Sequence, residues 1–449
     1  MTPFQRHPRD PEAHRATASD GLNRKWGFPR ALRVLRRLLS QENGNTLMVV
    51  AASMPAVMMS LGLGVEGGMM YLLRRQAQTA ADAAAISGGM ELVRGQHAAV
   101  TGAGRAASAA NGFTNGGVVS VAVNNPPEQG TYATDPAAVE AVVSRPHPLL
   151  FASLFNAVDP MISARAVAKV HVAGEACVLA LRPNAIRGVE TSGSASVNLQ
   201  GCTLAANTKS SSALYMSGSG ALYAESLWSA GGIYISGSSS TQFEQPPMEY
   251  MWPLPDPYAS LPIPTGGGCT TTNASYSAAT VTINPGVYCG GISFGSGANV
   301  TLNPGTYYVR DGNFNVKAQA VVKGTGVTII LTGTTASTVG AVDINANTDV
   351  TLSAPTGSSD TYRGLTFVQQ RNGTADSKFN GGSRTKISGG IYFPNTRVTW
   401  NGDNTYAAPD CTQVVAAVVT FTGNTTLNNA GCKVRGVKPV SVDLVRLVE

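Results

Sequence analysis

Six cysteines carry the one spacing in this chain that commits to a chemistry. Cys177, Cys202, Cys269, Cys289, Cys411 and Cys432 fall as three neighbouring pairs, separated by 25, 20 and 21 positions. An even number of cysteines in an exported region reads as disulfides, and the near-constant separation favours the nearest-neighbour bridges 177–202, 269–289 and 411–432. A metal centre finds no ligand set: there is no Cys-x-x-Cys, and His7, His14, His97, His147 and His171 all precede the first cysteine. Catalytic groupings are equally thin. A glycan-cleaving β-helix needs clustered carboxylates with calcium, or an arginine or lysine base. Asp343 and Asp349, with Arg363, Arg371, Arg384 and Arg397 downstream, are the nearest approach, and no carboxylate pair recurs at a fixed spacing. A serine elbow would have no histidine to serve it, since none follows His171, and no phosphate-loop motif is present. The sequence therefore assigns no catalytic, cofactor-binding or metal-ligating residue.

The elements that position the cysteines begin with a membrane anchor. Residues 46–65 contain no charge; at about 1.5 Å per helical residue this run just crosses a bilayer core of roughly 30 Å. A cleaved secretory signal is the competing reading, but its apolar region is shorter and lies nearer the start of a chain. Lys25, Arg30, Arg33, Arg36 and Arg37 precede the run, while only Arg74 and Arg75 follow it closely. This places the N-terminus in the cytoplasm and exports everything after Glu66. Residues 1–45 hold nine basic and four acidic side chains, so +5 of the formal +6 lies in the tail. The exported part is nearly neutral, which removes the case for nucleic-acid binding. All six cysteines lie on the exported side.

After the anchor an Ala-, Gln- and Met-rich tract to about residue 104 extends the helix outward. Residues 117–145 and 162–173 then read as strands, with a short apolar helix at 149–155 between them. Together they predict a small α+β module near the membrane. Gly44–Asn45, the apolar run, the segment 62–67 ending in Glu66–Gly67, Tyr71, Arg74 and the tract Gln76–Ala85, with Ala80, Ala81, Asp82, Ala83 and Ala84 at its centre, occur in an order that resembles the TadG-like proteins of the Flp (Tad) pilus assembly system. The later segments 148–155 and 162–168, the second containing Ser163–Ala164–Arg165–Ala166, are similar to the end of the same module, so the resemblance spans about residues 44–172. It implies a structural, membrane-anchored part in pilus assembly, with other Tad proteins as partners. Two departures limit what it implies. Val49 stands where related pseudopilins carry a glutamate after prepilin-peptidase cleavage, and the Asp-x-Ser-x-Ser motif of a metal-dependent adhesion domain is absent.

From Cys177 the chain is rich in Gly, Ser, Thr and Asn with short apolar triplets. Residues 279–288, containing Asn284–Pro285–Gly286, recur as 298–307, containing Asn303–Pro304–Gly305. Val-Thr-apolar triplets start at 327, 350, 398 and 419, and Ser-Gly-Ser elements at 192, 217 and 236. Repeats of about 20 residues, each with a strand and a tight turn, predict a right-handed parallel β-helix, or solenoid, over 176–449; an antiparallel sandwich is the competing fold. Val, Ile and Leu are expected inside, Thr and Ser outside, and Gly286 and Gly305 in type II turns with positive φ. The Pro-rich stretch 245–264 interrupts the repeats and reads either as a linker packed across the solenoid or as a partner-binding segment presenting Tyr250, Trp252 and Tyr258. The domain plan is thus a basic cytoplasmic tail (1–43), a transmembrane helix (44–66), a helical stem with an α+β module (67–175) and the solenoid. Its functional readings are a single-pass inner-membrane component of a pilus assembly or secretion apparatus with a periplasmic or surface domain, a cell-adhesion protein using the solenoid as a stalk, or a glycan-active enzyme. The sequence leaves self-association open.

Overall fold

The computed structural model describes residues 45–155, 158–380, 385–401 and 409–449; the basic tail with Gly44, and Arg384, lie outside them. The apolar run and the alanine tract form one uninterrupted helix, Asn45–Val93, with Pro55 inside it. A short helix, Val100–Ala110, folds back beside it. The expected strand region 117–145 is two antiparallel strands, β1 (Ser120–Asn124) and β2 (Ala138–Pro146), separated by a loop whose Pro127, Gly130 and Pro136 exclude continuous pairing. The expected apolar helix is a single 3-10 turn, Ala152–Phe155. The following strand, β3, runs far beyond 173, from Met161 to Ala180. Its first half pairs with β2 and its last residues join the region of the repeats.

That region is a stack of parallel rungs with three faces. On the first face the rungs run Thr271–Tyr276, Gly286–Phe294, Gly305–Arg310, Val327–Thr332, Leu365–Gln369, Lys386–Trp400 and Thr412–Phe421. The next rung in space is the end of β3, followed by Thr203–Ala206 and Leu227–Ser229. The stack is therefore not in chain order: its first-made coils, 176–243, sit on top of its last-made rung. Register is kept across this junction. On the second face one unbroken column of stacked positions runs Tyr276, Phe294, Val316, Ile344, Phe379, Trp400, Phe421, Thr191, Met216 and Ile235. Its apolar members fill the interior, and the rings meet edge-on or stacked, as Phe294 with Phe314 at 5.3 Å and Phe379 with Trp400 at 5.2 Å. Such contacts add to area burial.

The prolines of 245–264 solve the connection that this order creates. The segment must travel from one end of the stack to the other, and its prolines keep it extended and limit its sheet pairing to a single bridge, Met248 with Trp228. It is tied at successive rungs. Asn207 exchanges two hydrogen bonds of 2.7 Å with the backbone of Leu254, the Tyr392 hydroxyl donates to Asp256, and Arg371 donates to the carbonyls of Tyr258, Ala259 and Leu261. Leu254, Tyr258 and Leu261 are buried on the outer side of the first face. That cover explains why Thr328, which faces away from the interior, is buried with its hydroxyl on the Leu365 carbonyl, whereas the threonines at 282, 301 and 351 on the third face are exposed. Trp252 and Tyr258 are thus strap residues; only Tyr250 stays largely exposed.

The last strand, Ser441–Leu447, leaves the stack and pairs antiparallel with the middle of β3, residues 168–175, and so returns to the sheet of β1 and β2. The corners also differ from expectation. Gly305 has a φ of +137°, but Gly286 does not have positive φ, and both open a strand instead of closing a hydrogen-bonded turn. The asparagines stack, Asn303 donating to Asn284 at 2.7 Å. Glycine is required at Gly305, and most strictly at the Ser-Gly-Ser corner. Gly218 has a φ of +108°, and a Cβ there would lie 2.2 Å from the Gly193 carbonyl oxygen of the rung below.

Gly218→Val is expected to destabilise the chain by about 3 kcal/mol, from strain and a backbone clash together. Gly286→Val should cost distinctly less, since the nearest atom to its added Cβ is the Thr270 side-chain hydroxyl. Denaturant unfolding of both variants ranks them, and an equal or reversed order would refute this account of the corners.

Candidate functional site

The residues that set this chain apart are those that carry it out of the apolar helix and into the folded module. From Leu47 to Leu72 the helix exposes its large apolar side chains, among them Met54, Met58, Leu61, Leu63 and Val65. A stretch of this hydropathy with 6% of its window buried is long enough to cross a membrane. Below it the character reverses. Ala77, Ala80, Ala81, Ala84 and Ala85 are fully buried, at the three- and four-residue spacing of one helix face. This face lies on β2, β3 and the C-terminal strand. Small side chains let the backbones approach: a Cβ on Gly88 would lie 2.8 Å from Val139, and one on Gly89 2.7 Å from Val445. Asp82 stays at the edge of the seam and accepts from Gln78, which also donates to the Arg165 carbonyl; Gln76 is exposed and Ala83 half-buried.

Glu66 marks the change of character. It is 3% exposed, and its carboxylate accepts the backbone N–H groups of Leu150 at 2.7 Å and Ala152 at 3.0 Å. These are donors at the start of the 3-10 turn, and an anion there satisfies groups the turn itself leaves free. One turn earlier on the same helix, Gly62 receives the Phe151 ring: a Cβ on Gly62 would lie 2.9 Å from its Cγ. The segments 62–67 and 148–155, distant in sequence, are therefore the two sides of one contact. Leu150 and Phe151 remain partly exposed and continue the apolar surface of the helix.

Arg165 holds the far side of the sheet. Its guanidinium binds the buried Glu140 carboxylate at 2.5 Å, the Glu449 carboxylate and the Gln129 carbonyl. Burial alone would raise the Glu140 carboxyl, but Arg165, the Glu128 N–H and Asn124 outweigh it and hold the group below its ordinary value. Asp135 is likewise held low by Lys169 and the Ala137 N–H. This cluster joins β2, β3, the loop after β1 and the chain's last residue. Sequence reading singled out Arg165 only as part of a motif and missed Glu140 altogether; a lone glutamate between valines in a strand was the available signal.

The cysteines are paired as Cys177–Cys202, Cys269–Cys289 and Cys411–Cys432, with Cα separations of 5.6, 5.7 and 4.7 Å. The first two clip neighbouring rungs. The third ties a rung to the short helix Cys432–Arg435, where the chain turns away from the stack. Asp343 and Asp349 stand on different faces, the first stacked in register between Asn315 and Lys378 and the second beside Val321. Arg371 is engaged by the strap, and Arg397 donates to Thr420 beside Glu190. Among the described residues, no three His, Cys, Asp or Glu gather as a metal site.

Removing Arg165 leaves the Glu140 charge buried without its principal partner, which typically costs about 3 kcal/mol. A depressed carboxyl stabilises the fold above its unfolded pKa and stops doing so as pH falls through the folded value. The deficit of Arg165→Ala against the natural chain should therefore be largest near pH 7 and shrink toward pH 4, where Glu140 in the variant takes up a proton. Unfolding free energies at both pH values check this. A deficit independent of pH would remove the charge pair as its cause.

No curated protein and no solved structure matches the chain. One family model does, over residues 44–112, taking in the apolar helix, the alanine seam and the short helix and stopping before β1. With its Glu66 contact and alanine seam on that stretch, residues 44–112 are a TadE/G-like Flp pilus-assembly domain.

Proposed function

We propose that this protein is a single-pass structural component of a Flp/Tad-type pilus assembly or secretion apparatus. Its basic tail lies in the cytoplasm, its helix crosses the inner membrane, and a parallel β-solenoid is exported to the periplasm. The observation that carries this reading is the single helix whose upper half is exposed and apolar and whose lower half is a buried alanine seam under a sheet. A membrane span is thereby continued as the spine of a folded module, which suits a part that holds an exported body at a fixed place beside other Tad proteins. The positive charges before residue 46 support the orientation. Three cystines support export. The role is mechanical in this reading: the matched domain is that of an assembly family.

Alkaline phosphatase fused after residue 175 should be active in cells and inactive when fused after residue 30; the reverse would overturn the orientation. Gly62→Ile keeps the helix apolar but occupies the seat of Phe151. It should leave the protein in the membrane at normal abundance and strongly reduce piliation. Full piliation would separate the docked loop from function, and accessibility of the solenoid to protease on intact cells would favour a surface adhesin.

A further inference from the structure

The two ends of the rung stack are unfinished in the same way. Among the described residues, the strands Ile233–Ile235 and Ser240–Phe243 at one end each pair on one side only, with the rung before them. At the other, Thr271–Tyr276 and Thr280–Ile283 each pair only with the rung after them. Solenoids ordinarily close such ends with a polar capping repeat, and exposed strand edges ordinarily carry lysine, proline or inward charge that prevents pairing. Neither device is present on these strands. Residues 233–243 and 270–283 contain no charged residue and no proline. Tyr234 and Ile235 are exposed by 48% and 41%, and Ile233, Phe243, Tyr276 and Val281 cover the interior only in part. The strap caps the first face of the first end, where Met248 bridges to Trp228, and reaches the start of the second, where Glu249 accepts the Ile233 N–H. Among the described residues, Tyr234, Ile235 and the third-face strand Ser240–Phe243 take no further strand partner there.

The chain itself shows what fits such an end. The coils 176–243 and the rungs 271–428 are separate stacks in sequence, yet they meet end to end by in-register parallel pairing on all three faces: Val414 with Val178, Val419 with Val189 and Thr425 with Val197. One rung cross-section thus accepts another without any chain continuity between them. We propose that the same joint forms between molecules, the outer rung Ile233–Phe243 of one copy receiving the first rung Thr271–Ile283 of a second. All rungs run parallel, so the second copy arrives in the same sense, and the contact is head-to-tail and open-ended. Register assigns the pairs. Ile235 ends the interior column that Tyr276 begins. On the outward side, Tyr234 ends the column Tyr215, Glu190, Thr420, Thr399, Lys378, Asp343, Asn315, Ser293 that Ser275 begins.

The test uses the full chain in its membrane. All six natural cysteines are bonded, so introduced thiols are distinct. Tyr234→Cys combined with Ser275→Cys, treated with a mild oxidant, should give a ladder of dimers and higher species on non-reducing gels. When the two single variants are expressed together, they should give dimers only. Cross-linking by Tyr234→Cys alone would mean a symmetric end-to-end contact and overturn the head-to-tail joint. A monomer throughout, in protein with its three natural disulfides intact, would overturn the proposal. Thr241→Lys, placed on the exposed edge of the outer rung, should abolish the ladder in the double-cysteine background without lowering the melting temperature. A ladder that survives it would assign the cross-links to random collision.

Discussion

The pairing of Thr412–Phe421 with the rungs that follow Cys177 is the constraint on which the rest of this structure depends. Every other rung contact joins segments a few tens of residues apart, and a disulfide or a corner can enforce it locally. This one joins the end of the repeats to their beginning across more than two hundred residues. Without it the coils 176–243 and the rungs 271–421 are two short stacks with an apolar end each. The strap exists because of this order: a chain that finishes beneath its own start must first be carried to the far end. Its ties follow from that path. Asn207 and Tyr392 are polar groups on an outer face that the strap makes buried, and they are satisfied by strap backbone and by Asp256; Arg371, which stays exposed, clamps the strap from its edge.

What the sequence made legible was local. The parallel rungs, the outward threonines of the third face and the extended proline segment follow from period and composition, because each is decided within one or two repeats. The Val-Thr-apolar triplets fall on different faces: 327 on the first, 350 on the third, 398 and 419 on the second. They mark strands and not positions within a coil, since the inward-outward alternation of side chains is the same wherever a strand lies, while burial of the outward residue depends on what covers that face. The order of the rungs was not legible. A repeat fits equally well on any neighbour of the same cross-section, so nothing in the repeats says that residue 414 sits on residue 178. The return of 441–447 to β3 was hidden for a related reason. Its alternation suits any half-buried sheet, and the partner is fixed by where the chain leaves the stack at Cys432.

At the membrane the legible and the hidden parts divide differently. The apolar run, Glu66 and the alanine tract could each be read as types: a span, a buried acid, a close-packing face. Their joint meaning needed the fold, because the Leu150 and Ala152 N–H groups that Glu66 receives lie more than eighty residues away. Gly62 looks in sequence like any small residue in a membrane helix, and its role appears only with Phe151 against it. Glu140 is the sharpest case. Buried charge is rare without a partner, so a glutamate in an apolar strand announces that a cation must arrive. Which arginine does so depends on the pairing of β2 with β3.

The two halves of the molecule meet in one strand. β3 pairs with β2 over residues 161–169, with the C-terminal strand over 168–175, and with Thr412–Phe421 and Thr203–Ala206 over its last five residues. No loop intervenes, and the Cys177–Cys202 bridge sits where the strand enters the stack. A flexible linker would let the stack swing about the helix, whereas a continuous strand paired along its length does not bend without breaking pairs. The alanine seam fixes the helix to that same sheet. The direction of the apolar helix is thereby carried, through sheet and strand, into the direction in which the rungs stack.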